Sequence, residues 1–109
     1  MGREHGIATP ARVDPRHVTR RQLVAALNRS SNGIAALLQL GLASGGRIPP
    51  SKGYVWRNLA LDVDHVVTYF VAHEAHHRGQ IIVVARATGH RVPPAITNEL
   101  WQWKQRHRF

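Results

Sequence analysis

Apolar positions recur at helical spacing along two long stretches of the chain. In the first, Leu23, Leu27, Ile34, Leu38 and Leu42 mark one stripe, with Ala26, Ala35 and Gly41 beside it to permit close approach. In the second, Val66, Phe70, His73, His77, Ile81 and Val84 follow one another at steps of four, three, four, four and three. Both patterns predict amphipathic helices. The first begins at Thr19-Arg20-Arg21-Gln22, which fits the capping box, in which hydroxyl and amide side chains satisfy orphan backbone N–H groups. Its middle, from Asn28 through Ser30, Ser31, Asn32 and Gly33, is weak in helix propensity and allows a kink or a break. Gly45-Gly46 should stop it.

Residues 47–54 read as a connection containing Pro49, Pro50 and Gly53, and residues 55–61 are ambiguous. Asp62 is placed to cap the second helix, with Asp64 favourable in its first turn. That helix should run to about Thr88 and end at Gly89, ahead of Pro93-Pro94. Residues 96–104 predict one or two further turns, with Leu100, Trp101 and Trp103 covering one end of the core. Residues 1–16 lack a period and read as a tail or loop, residues 17–104 as the helical domain, and residues 105–109 as a basic tail. The expected fold is all-α. Two such helices cannot bury both stripes against each other, so apolar flanks should remain for self-association or a partner segment to cover.

Composition narrows the function classes. At 109 residues the chain is one domain. It has no cysteine, which excludes disulfides, thiolate ligands and a cysteine nucleophile. No apolar run reaches membrane-spanning length, and the N-terminus has no apolar signal core, so the expected setting is the cytoplasm. The net charge is +9, yet the arginines are spread over both ends and exposed faces. That spread argues for an arginine-rich surface over nucleic-acid binding.

The chemistry is concentrated in the second stretch. His73, His76 and His77 are three of the eight histidines and lie within five residues. His73 and His77 are one turn apart on the apolar seam, where leucines would be expected, and two imidazoles so placed can hold one metal ion. His76 lies off the seam. Glu74 has the favourable spacing for an ion pair with Arg78, or can serve as a base or as a carboxylate holding a ring N–H. His65 is two turns before His73, about 12 Å along the helix, too far to share an ion. The run His73-Glu74-Ala75-His76-His77 also matches H-E-x-x-H, the zinc motif of some metalloproteases. His90 does not complete the longer form of that motif, and no strand is predicted that could line a substrate cleft. The competing reading is that His73 and His77 are buried and hydrogen-bonded, or packed at a subunit contact.

The run from Tyr69 to Ile81, followed by residues 89–94 and Leu100-Trp101-Gln102-Trp103, resembles the C-terminal half of the DinB/YfiT-like superfamily. The resemblance covers about residues 14–103. It implies a four-helix bundle, often dimeric, that binds zinc or nickel through three histidines. Two of these match His73 and His77, and the third belongs to an earlier helix. Some relatives transfer small thiols, and others have no assigned activity. The first two helices of that fold have no counterpart here. The resemblance is therefore to an N-terminally truncated copy without its third histidine ligand, read as a shortened form, as a chain with a misplaced start, or as half of a bundle that a homodimer completes. Metal-dependent thiol transfer, with metal-bound thiolate as nucleophile and with Glu74 and His76 tuning the site, is the implied activity. The alternative is a non-enzymatic helical dimer with its histidines at the interface.

Overall fold

The computed structural model describes residues 1–52 and 58–99. It is all-helical: a 3-10 turn at Gly2–His5, then α1 (Arg20–Ala43), α2 (Val63–Ala87) and α3 (Pro94–Glu99). The predicted roles of Leu100, Trp101 and Trp103 lie outside the described residues. The chain divides into two units, Met1–Phe70 and Val71–Phe109.

In the first unit, the capping box forms as the sequence predicts. The Gln22 backbone N–H donates to the Thr19 hydroxyl at 3.2 Å, and the Thr19 N–H donates to the Gln22 side-chain oxygen at 2.8 Å. Helix α1 is continuous through Asn28–Gly33, so the weak central residues neither kink nor break it. The cap at one end and the packed residues at the other outweigh a local propensity deficit. Beyond Ala43 the chain turns through Gly45 and Gly46, both at positive φ, and Gly46 N–H donates to Gly41 O at 2.9 Å. This six-to-one bond through a left-handed glycine is how a helix end satisfies a carbonyl left without an intrahelical partner.

The buried core of the described residues is Leu37, Ile48, Leu61 and Val66, with Met1, Ile7, Leu38 and Phe70 packed against it. Its position corrects the stripe read for α1. Leu23, Leu27 and Leu42 are exposed, and the buried line is Leu37 and Gly41. Ile48 and Leu61 come from the connection between the helices. Backbone bonds from Ile48 N to Leu61 O and from Val63 N to Gly46 O, both 2.9 Å, clip the two ends of that connection together. They surround an isolated antiparallel bridge of Arg47 with Asp62. Asp62 sits just ahead of α2, as expected, and its carboxylate lies 4.0 Å from the Arg47 guanidinium.

Gly41 makes this packing possible. A Cβ there would lie 2.6 Å from Val63 Cγ2 and 2.9 Å from Ile48 Cγ1, closer than carbon atoms can pack. The N-terminal tail also joins this unit. A His5 ring nitrogen is 2.9 Å from Pro49 O, which brings Met1 and Ile7 onto the core.

In the second unit, α2 ends as predicted. Gly89 takes φ +82°, His90 N–H donates to Ala85 O and Gly89 N–H donates to Arg86 O, the paired bonds of a Schellman end. The short α3 follows, with the N–H groups of Ile96 and Thr97 both donating to Pro93 O.

Candidate metal centre

His73 and His77 are placed by helix geometry alone. Four residues at 100° per residue bring two side chains back to the same face one turn apart. The rings meet there at a centroid distance of 4.5 Å and an interplanar angle of 81°. The two Nε2 atoms are 3.1 Å apart. In a neutral pair one Nε2 donates to the other, the roles set by the tautomer.

The other nitrogen of His77 decides which is which. Nδ1 of His77 lies 2.9 Å from Oε1 of Gln80, an acceptor, so Nδ1 carries the hydrogen. The lone pair of His77 is then on Nε2, facing His73. This is the arrangement metal-ligating histidines use: one nitrogen donates to a neighbouring oxygen while the other is aimed at the ion. No motif or periodicity marks Gln80 for a role. Its spacing of three residues from His77 on a helix was the available signal.

The donor set fits a divalent ion. Two nitrogens at about 2.0–2.1 Å from a tetrahedral centre stand about 3.3 Å apart, close to the separation found here.

The surroundings differ from the inward-facing seam predicted from the sequence. Only its N-terminal end is buried, at Val66, with Phe70 half-buried; His73, His77, Ile81 and Val84 are exposed. The core of the first unit takes up Val66 and Phe70, the seam residues that belong to that unit. The nitrogens nevertheless converge. His76 is also exposed, its ring 5.3 Å from that of His77. Glu74 is exposed, and the expected Glu74–Arg78 ion pair is absent among the described residues. His65 is taken up by Asp64, whose carboxylate lies 3.2 Å from its Nδ1.

Among the described residues, no cluster of three or more histidine, cysteine, aspartate or glutamate side chains could hold an ion. Among the described residues the candidate ligands are thus His73 and His77. No helix among them is long and apolar enough to cross a membrane. A cleft of about 450 Å³ lies elsewhere, in the first unit, between residues 10–18 and the first turns of α1, and contains none of the clustered histidines.

The DinB family model matches residues 54–107, which include the whole histidine cluster. No curated protein and no solved structure matches the chain.

Proposed function

From the premise that this chain is DinB-like over residues 54–107, we propose that it binds a divalent metal, zinc or nickel, through Nε2 of His73 and Nε2 of His77. The observation that carries this reading is the 3.1 Å approach of the two nitrogens with Nδ1 of His77 committed to Gln80. Both rings are exposed, against the inward-facing seam expected from the sequence, so the reading rests on the convergence of the two nitrogens alone.

A bound divalent ion with an open position supplies a Lewis acid that ionises a thiol or a water near neutral pH. The implied activity is transfer involving a small thiol. The chain's own part is to hold two imidazoles converged, with Gln80 fixing one ring. Glu74 and His76, both exposed next to the pair, set the local charge an approaching thiol meets.

Metal analysis of the purified protein tests the reading. Zinc or nickel should be retained by the native chain and lost in a His73→Ala/His77→Ala double variant of unchanged helix content. Equal metal in both would reject it. Thiol transfer is checked separately, by metal-dependent conjugation of a small thiol to an electrophile.

A second reading is a helical dimer without catalytic activity. It is favoured by the exposure of Val71, Ile81, Val83 and Val84, each at 60% or more, on a helix surface that costs free energy in water. Under this reading self-association persists in chelator.

A further inference from the structure

The cleft of the first unit is formed within residues 10–29, outside the family match at residues 54–107, and the histidine pair takes no part in it. Its volume of about 450 Å³ is that of a site for a small molecule. The tail ahead of α1 and the first turns of α1 make its two walls. Val13 and Ala26 are half-buried in it and apolar. Arg12 from the tail, His17 from the turn before α1 and Arg29 from α1 line it as exposed side chains.

Hydrogen bonds fix the turn that carries His17. Both oxygens of the Asp14 carboxylate are engaged: Oδ1 accepts from the Arg16 backbone N–H, and Oδ2 lies on Nδ1 of His17, each at 2.9 Å. An ionised carboxylate only accepts, so Nδ1 of His17 carries the hydrogen, and Nε2 is the ring atom left to meet a ligand. The acid is thereby turned to its own local donors. Arg12 and Arg29 bring two guanidinium groups to one opening from two different elements. A guanidinium keeps its charge at any physiological pH, and its planar fork matches phosphate oxygens two at a time.

We propose that this cleft binds a phosphate monoester with a short apolar body. The head lies between Arg12 and Arg29 and is hydrogen-bonded by Nε2 of His17; the body covers Val13 and Ala26. Charge selects the head. Two guanidinium groups match the charge of about −2 that a monoester carries at neutral pH, whereas a carboxylate supplies half of it. Polarity selects the body, because covering half-buried apolar side chains with carbon is favourable in proportion to the area taken from water. Inorganic phosphate leaves that surface wet.

The test titrates phenyl phosphate, inorganic phosphate and benzoate into the full chain, followed by amide chemical shifts and calorimetry. Shifts from phenyl phosphate should gather on residues 10–29, and it should bind about tenfold more tightly than either of the others. Arg12→Gln and Arg29→Gln should each weaken it by roughly three- to tenfold. Arg21→Gln removes the same charge from α1 outside the cleft and should change the affinity by less than about twofold at physiological salt. Circular dichroism checks that each variant keeps its helix content. Inorganic phosphate binding as tightly as phenyl phosphate would overturn the apolar part of the site, and benzoate doing so would overturn the phosphate assignment. Equal weakening by Arg21→Gln would reduce the effect to the net charge of the chain and overturn the cleft as a site. Shifts centred on α2, or no saturable shift anywhere, would overturn it as well.

Discussion

Nδ1 of His77 donates its hydrogen to Oε1 of Gln80 across 2.9 Å, and this contact leaves the Nε2 lone pair of His77 directed at His73. An amide one turn further along the helix thus orients a ring it does not share with any ion. Hydrogen bonds of this kind are commonly worth 10- to 100-fold in metal affinity. Gln80→Leu should weaken zinc or nickel binding by roughly that factor without loss of helix content. Competition against a chromogenic chelator measures it, and an unchanged affinity would deny Gln80 its orienting role.

Two glycines should respond in opposite ways to the same substitution. Gly41→Ala places a Cβ against Val63 and Ile48, and overpacking of this kind costs about 1–3 kcal/mol, more than the helix propensity it gains. Around Gly79 nothing lies within 4 Å of a built Cβ. Gly79→Ala should therefore stabilise the chain by up to about 1 kcal/mol. Urea denaturation followed by circular dichroism gives both values; a stabilising Gly41→Ala would contradict the packing at Gly41, and a destabilising Gly79→Ala the open space at Gly79.

Ile48 is fully buried although it belongs to a connection. Ile48→Ala should cost about 2–5 kcal/mol, a large share of the stability a small domain holds. A change below about 1 kcal/mol in the same denaturation experiment would mean that the clip from Ile48 to Leu61 does not organise the core.

Removal of the α1 cap is a separate and smaller effect. Thr19→Ala deletes the acceptor for the Gln22 N–H and should cost about 1 kcal/mol, with Thr19→Asn nearly neutral. Fraying confined to the first turn, visible as faster amide exchange there, accompanies it; equal loss in both variants would point away from capping.

Acid sensitivity follows from two exposed carboxyls. The hydrogen bond from His17, aided by the Arg16 N–H, lowers the pKa of Asp14. The backbone N–H of His65 lowers that of Asp64. Below its ordinary value in the folded chain, each group takes up protons first in the unfolded chain. Their small stabilisation is complete above the unfolded carboxyl value of about 3.9 and is lost as the pH falls through the folded values. Asp14→Asn and Asp64→Asn should each lower the neutral plateau slightly and flatten the loss of stability on the acid side. A steeper acid slope in either variant would reverse the assigned sign.

The ends of the helices were legible because their determinants are local. Thr19 with Gln22, and Gly89 ahead of Pro93, act within a few residues, and each forms as its spacing predicts. The weak run from Asn28 to Gly33 misled for the complementary reason: local propensity is worth tenths of a kilocalorie per residue and yields to packing. The core was less legible. Leu23, Leu27 and Leu42 share a stripe with residues that are partly buried, and periodicity identifies a stripe without saying which part of it meets a neighbour.

The sequence by itself determined that the chain is helical, where α1 and α2 begin and end, and that two imidazoles four residues apart share a face. These follow from the 3.6-residue period and from caps that reach only a turn. Tertiary structure alone decided that Ile48 and Leu61 close the core, that Leu37 and Gly41 line its wall, and that Val66 of the seam is buried in it. Burial depends on contacts between residues far apart in sequence, here the backbone clip between positions 48 and 61, and no local pattern encodes them.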